Sequence, residues 1–240
     1  MNTDELNIIY EDNDIIVVNK PAGVLTIPDR FDLTIPNIRT IADGIYRQIF
    51  IVHRLDRETS GILILAKNAE AHKDLSMQFE NLSVKRLYHA VTEQIIHQDS
   101  LKIDLPLMPD PRRTGRTIPS ARGKQSLSIV DVKQRFKHFT FVEVDLVTGR
   151  HHQIRVHLSS VGYPLLVDEL YGHNKEFYLS TIKKKFNMKK NDSEKPIISR
   201  VSMHAYSLTF VHPKTKEEMT FCADYPKDFS VLLKVLNKYG

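Results

Sequence analysis

HRLDRETSGILILAKN, residues 53–68, changes character half-way along. From His53 to Gly61 it is polar and ends on a glycine; from Ile62 to Ala66 it is uninterrupted apolar sequence. A short apolar run bounded by turn residues reads as a buried strand, and the polar stretch as the loop that feeds it. Asn68 then opens a helix to Glu80, because its side chain can cap the first turn and Ala71, Leu75 and Phe79 fall on one face.

Upstream, DIIVVN (Asp14–Asn19) is a second short β-branched run, followed by a Lys20-Pro21-Ala22-Gly23 turn. Residues 38–50 predict a short helix. Downstream, Arg86–Thr92 reads as a strand. Ser126–Lys133 and Phe139–Thr148 read as paired strands, the second alternating Val142, Val144 and Leu146 with Glu143 and Asp145. Gln153–Val161 has helical spacing and stops at Gly162; Ala205–His212 and Met219–Ala223 suggest a hairpin; Asp228 opens a terminal helix ending near Tyr239. Strands outnumber helices and most are joined by short turns. That predicts an α+β fold with a mixed, largely antiparallel central sheet and flanking helices and loops. No Pro/Gly/Ser linker divides the chain, so residues 1–240 are expected to form a single domain. Residues 106–125 predict a basic loop carrying Arg112, Arg113, Arg116, Arg122 and Lys124, and lysine-rich 173–199 a surface insertion.

The 240 residues are 41% hydrophobic and 26% charged, with a formal net charge of +5, an ordinary globular balance that tolerates a polyanionic partner. One cysteine, Cys222, excludes an internal disulfide and a cysteine-rich zinc site. The first residues lack the pattern of a secretory signal, and no run approaches the roughly 18 apolar residues that span a bilayer. A cytoplasmic protein is expected.

Two clusters carry chemistry. Asp56 lies between Arg54 and Arg57, just before the buried strand. A carboxylate at the end of a rigid strand can be aimed at a substrate, and neighbouring guanidinium groups keep it ionised. Taken alone, an ordinary solvated ion cluster explains it equally well. The second cluster is TGRHHQIRVHL, Thr148–Leu158, in which His151 and Arg155 share a helix face. A metal site from His151, His152 and His157 is disfavoured: no His pair brackets a Glu at the spacing of a zinc-peptidase helix, and no acidic ligand is near. A basic helix that grips phosphate, or pairs with a buried carboxylate, fits better. No glycine-rich phosphate loop or dinucleotide fingerprint occurs, so no cofactor and no metal is expected.

Residues 53–68, Thr148–Asp168 (TGRHHQIRVHLSSVGYPLLVD) and HAYSLTFVHP from His204 together resemble the signatures of the RluA-type pseudouridine synthases. Lys20–Gly23 resembles the family's early turn, and Lys85–Tyr88 its stretch around a tyrosine. The similarities are collinear from about residue 8 to 227. The resemblance implies an isomerase that converts uridine to pseudouridine in RNA. The base is detached at N1, turned, and rejoined to the same ribose through C5. It makes Asp56 the catalytic aspartate, with Arg155 its ion partner and Tyr88 stacking on the base. Leu208 would line the base pocket, and Arg54 would enter the RNA stack as the uridine flips out, at a cost of a few kcal/mol that phosphate contacts offset. Lys20, Arg150 and His152 are further candidate RNA contacts. Where the family usually has a small or basic residue this chain has His151, and where it has a glycine, Val167. No counterpart of the family's N-terminal S4 extension is expected, so RNA contacts are expected from the catalytic domain itself. The expected partner is ribosomal RNA or tRNA, as a stem-loop, bound by a monomer. A non-catalytic RNA-binding protein and an unrelated hydrolase using Asp56 are the competing readings.

Overall fold

Why residues 60–66 sit at the centre of one sheet follows from their burial: all seven are inaccessible to solvent, as a strand covered on both faces must be. A computed structural model describes residues 6–183 and 193–240. The elements run β1 (Ile8–Glu11), β2 (Ile15–Lys20), α1 (Ile38–Asp43), β3 (Phe50–Ile51), β4 (Ser60–Ala66), α2 (Ala69–Glu80) and β5 (Lys85–Glu93). They continue with β6 (Ser100–Asp104), β7 (Leu107–Pro109), β8 (Thr117–Pro119), β9 (Leu127–Arg135), β10 (Phe139–Leu146) and α3 (Gln153–Ser160). The last are β11 (Met203–Val211), β12 (Glu218–Cys222) and α4 (Lys227–Tyr239). The class is α+β with mostly antiparallel strands, as expected.

The chain packs into two units: Met1–Leu87 with Ala205–Tyr225, and Tyr88–His204 with Pro226–Gly240. In the first, strands lie in the order β1-β2-β4-β11, with β12 on β11 and β3 on β4. β2 pairs antiparallel with β4 from Ile15↔Ala66 to Lys20↔Gly61. Burying Ile62, Leu63, Ile64 and Leu65 contributes about 1.5–3 kcal/mol per side chain relative to exposure. Gly61 has φ +121°, and a Cβ there would meet the Ala205 carbonyl oxygen at 2.1 Å, so only glycine lets β11 approach. Asn68 caps α2 as expected, its side chain accepting from the Ala71 amide, with Ala71 and Leu75 buried. Helix α1 is shorter than the expected 38–50. Gly44 follows its last residue, and Phe50–Ile51 instead pairs with β4.

In the second unit the order is β5-β10-β9-β6. β10 alternates as its sequence predicts, with Thr140, Val142, Val144 and Leu146 buried. Residues 106–125 are not simply a loop: Leu107–Pro109 and Thr117–Pro119 pair as a short ribbon. The stretch 173–199 is not wholly a surface insertion either, because Phe177 and Ile198 bridge each other and are both buried. Lys184, Lys185, Lys189 and Lys190 lie outside the described residues. Among those described, no helix is long and apolar enough to cross a membrane.

Candidate active site

In the first unit Asp56 is half-buried in the loop leading to β4, between exposed Arg54 and Arg57. The loop is tied down on both sides of it. Thr26 Oγ1 donates to the Leu55 carbonyl and accepts the Leu55 amide, both at 3.1 Å. The Thr59 amide donates to the Asp56 carbonyl at 3.1 Å, closing a turn, and the Gly23 amide donates to the Arg57 carbonyl at 2.9 Å. Gly23 has φ +83°, the left-handed conformation that the Lys-Pro-Ala-Gly turn needs a glycine to reach. His53 anchors the start of the loop: its Nε2 accepts the Ile64 amide at 3.2 Å and its ring stacks on Phe79 at 4.6 Å. Burial, and then the positive charge of Arg86, push its pKa down to about 3, so it is neutral. In this unit Leu208 is buried in β11, opposite Phe221.

Lys20 is fully buried. Its ammonium donates to the carbonyls of Pro21 (2.9 Å), Val24 (2.7 Å) and Arg57 (3.2 Å). An RNA contact was expected of it. Instead it ties the early turn to the Asp56 loop, because a buried ammonium must spend its donors on internal acceptors.

The second unit holds the TGRHHQIR segment. Gln153 organises its turn: Oε1 accepts from Thr148 Oγ1 (2.8 Å) and the Arg150 amide (3.0 Å), while Nε2 donates to the Leu127 carbonyl (3.0 Å) and Ser128 Oγ (3.1 Å). Arg150 is exposed, and Tyr88 is buried in β5. Arg155 is only 8% exposed and Asp168 0%. They form a two-pronged pair, Nε to Oδ2 and Nη2 to Oδ1, each 2.7 Å, a geometry only a guanidinium offers a carboxylate. Asp168 Oδ1 also accepts the amides of Leu170 (2.9 Å) and Tyr171 (3.1 Å). Of the two readings of this basic helix, pairing with a buried carboxylate is the one found, and residues 153–158 of α3 are all buried.

His152 caps α3 in a left-handed conformation, φ 56° and ψ 20°. Its Nδ1 lies 2.9 Å from the Tyr171 hydroxyl, and its ring stacks on His151 at 3.7 Å. Burial first, then the charges of Arg155 and His151, lower its pKa to about 2. His157 has both ring nitrogens occupied, by Ser128 Oγ (3.0 Å) and the Leu105 carbonyl (3.0 Å), leaving no lone pair for a metal. In the first unit, ligand atoms of Asp12, Asp14 and His212 lie within 4.8 Å of one another. His212 Nδ1 accepts the Lys214 (3.2 Å) and Thr215 (3.0 Å) amides, so its proton is on Nε2 and faces Asp12 Oδ2 at 2.9 Å. That is an internal hydrogen-bonded pair rather than a ligand set.

The family pattern of RNA pseudouridylate synthases matches residues 14–160, which include both the Asp56 loop and the whole of the Arg155 helix. The chain belongs to the RNA pseudouridylate synthase family. An RNA pseudouridine synthase of Bacillus subtilis, YlyB, is 36% identical over 98% of this chain and 74% of its own length. The ribosomal large subunit pseudouridine synthase D of Neisseria meningitidis is 36% identical over 96% of this chain, and the chain spans 61% of that relative. Of solved structures, human RNA pseudouridylate synthase domain containing 1 superposes with a TM-score of 0.70 at 25% identity, over 94% of this chain and 86% of its own. Human RNA pseudouridylate synthase domain containing 4 shares the fold, with a TM-score of 0.72 at 21% identity, over 96% of this chain and 93% of its own. Within this family member, sequence reasoning missed Thr26, Asp168 as the clamp on Arg155, and Tyr171. An acid thirteen residues beyond the arginine was the one visible signal for Asp168.

Proposed function

We propose that the chain is an RNA pseudouridine synthase, with Asp56 as its catalytic carboxylate. The family match across residues 14–160 carries this reading. The loop tied by Thr26, Gly23 and Lys20 supports it, since a group that must meet one sugar and one base gains from a fixed approach. Arg155, held by Asp168, serves as the fixed cation of the reaction, and Tyr88 and Leu208 receive the base. Arg54, exposed beside Asp56, enters the RNA stack as the uridine leaves it. Arg150 and His152 contact RNA at the other signature, joined by exposed Arg112, Arg113, Arg122 and Lys124. The substrate is a stem-loop of ribosomal RNA or tRNA; the relatives include a ribosomal large subunit pseudouridine synthase and one named a dual-specificity RNA pseudouridine synthase, RluA of Vibrio vulnificus. The enzyme works as a cytoplasmic monomer without cofactor.

The test is to incubate the protein with total tRNA and with ribosomal RNA fragments, then map pseudouridine by chemical adduct formation and primer extension. Wild type is expected to introduce it at defined positions. Asp56→Asn is expected to abolish product and keep RNA affinity within about threefold, as removal of a group used in the chemistry rather than in binding predicts. No product from wild type on any of these RNAs, with binding retained, would favour a non-catalytic RNA-binding protein.

A further inference from the structure

Tyr171, in the loop after α3, belongs to none of the signature segments, yet it touches the segment that holds Arg155 in three ways. Its ring lies under the Arg155 guanidinium, 5.1 Å from the ring centre. Its amide donates to Asp168 Oδ1 at 3.1 Å, the same oxygen that accepts from Arg155 Nη2. Its hydroxyl sits between the Thr117 amide at 2.8 Å and His152 Nδ1 at 2.9 Å. Ser159 Oγ donates to its carbonyl at 2.8 Å and fixes the loop from behind.

The hydroxyl position bears on a proton. A backbone N–H can only donate, so towards Thr117 the Tyr171 oxygen is an acceptor. Its single hydrogen can go to the Thr117 side chain or to His152 Nδ1, and directed at the ring it makes Nδ1 the unprotonated nitrogen. In that arrangement the neutral His152 ring carries its hydrogen on Nε2. An imidazole free to choose would populate both tautomers; this one has a hydroxyl on one side and a strained left-handed backbone beneath it. The cost of that backbone conformation makes sense where a ring must face one way. Burial keeps the Tyr171 phenol above its ordinary pKa, so the donor survives through the neutral range.

We propose that Tyr171 is a positioning residue for the reaction: its hydroxyl sets the Nε2–H tautomer of His152, and its ring and amide hold the Arg155–Asp168 pair in place. The proposal rests on the reading of this chain as a pseudouridine synthase that uses Arg155 and His152. The side chain does not itself meet the RNA. It delivers a donor of known polarity and a cation of known direction to the groups that do.

Two measurements test it. In wild type labelled with ¹⁵N-histidine, His152 is expected to show a protonated Nε2 and an unprotonated Nδ1 at neutral pH, assigned by its loss in His152→Gln. A protonated Nδ1 would overturn the proposal without any variant and without any activity. Tyr171→Phe keeps the ring under Arg155 and removes only the hydroxyl. It is expected to shift the tautomer balance of His152 away from Nε2–H and to lower kcat by roughly tenfold, the weight of one hydrogen bond, with KM within about twofold. Wild-type kcat in a folded Tyr171→Phe would refute the role, as would an unchanged tautomer. Failure of wild type to modify any RNA would refute the synthase reading instead, while the tautomer measurement would still stand.

Discussion

At the scale of single residues, the site depends on polar groups that bury themselves with matched partners. Arg155 and Asp168 are the clearest case: two donors meet two oxygens, and the two adjacent amides fill the carboxylate's remaining capacity. Taking away one partner leaves a buried charge uncompensated, which costs far more than the net worth of the pair. Asp168→Asn is therefore expected to lower stability by about 3–5 kcal/mol, read as a fall in the urea midpoint. A change within 1 kcal/mol would mean that Arg155 finds other acceptors. Lys20 teaches the same lesson from the other side. Its sequence setting, a lysine before a Pro-Ala-Gly turn, reads as a candidate RNA contact. Its three carbonyl partners come from residues 21, 24 and 57, and the last of these is a pairing that sequence order does not suggest.

At the scale of elements, periodicity and capping were legible where a single local cause suffices. Asn68 caps α2, and β10 buries every second side chain. The elements that sequence misjudged are those whose state is set by distant chain. Helix α3 reads as a basic helix that grips phosphate or pairs with a buried carboxylate, and distant chain chose the second: it is buried through Leu158 because Asp168, Ser128 and Leu105 neutralise or bond its polar residues. The β7–β8 ribbon was hidden by its prolines and arginines, which usually mark a loop. Gly61 is a sharper case, since one missing Cβ permits the β4–β11 approach. Gly61→Ala is expected to lower the melting temperature by roughly 10 °C or more, because backbone must move and φ is positive. A shift under 2 °C would show that β11 can yield.

At the scale of the whole molecule, buried histidines make stability depend on pH. His53 is neutral in the fold, with its pKa down at about 3, but titrates near its ordinary 6.5 when unfolded. Below 6.5 the unfolded chain binds the extra proton, so its contribution is complete above that value and is lost as pH falls towards 3. The expected loss is about 1 kcal/mol per pH unit between 6 and 4, and His53→Gln should flatten the slope of the urea midpoint against pH. Glu11, Asp12, Asp74 and Glu143 also have lowered pKa values, and their contributions fade only in more acid solution, through the carboxylate range. By itself the sequence determined the class of fold, the helix at Asn68, the alternation of β10, the family, and Asp56 as the residue to test. Those follow from neighbours along the chain or from ordered motifs. Only the tertiary structure decided that Lys20 is inside, that Asp168 clamps Arg155, and that the Tyr171 hydroxyl meets the His152 ring. Each of these is a pairing of polar groups across at least thirteen residues, or a polar group's exposure to water. Both depend on which segments fold against each other, and no local pattern records that.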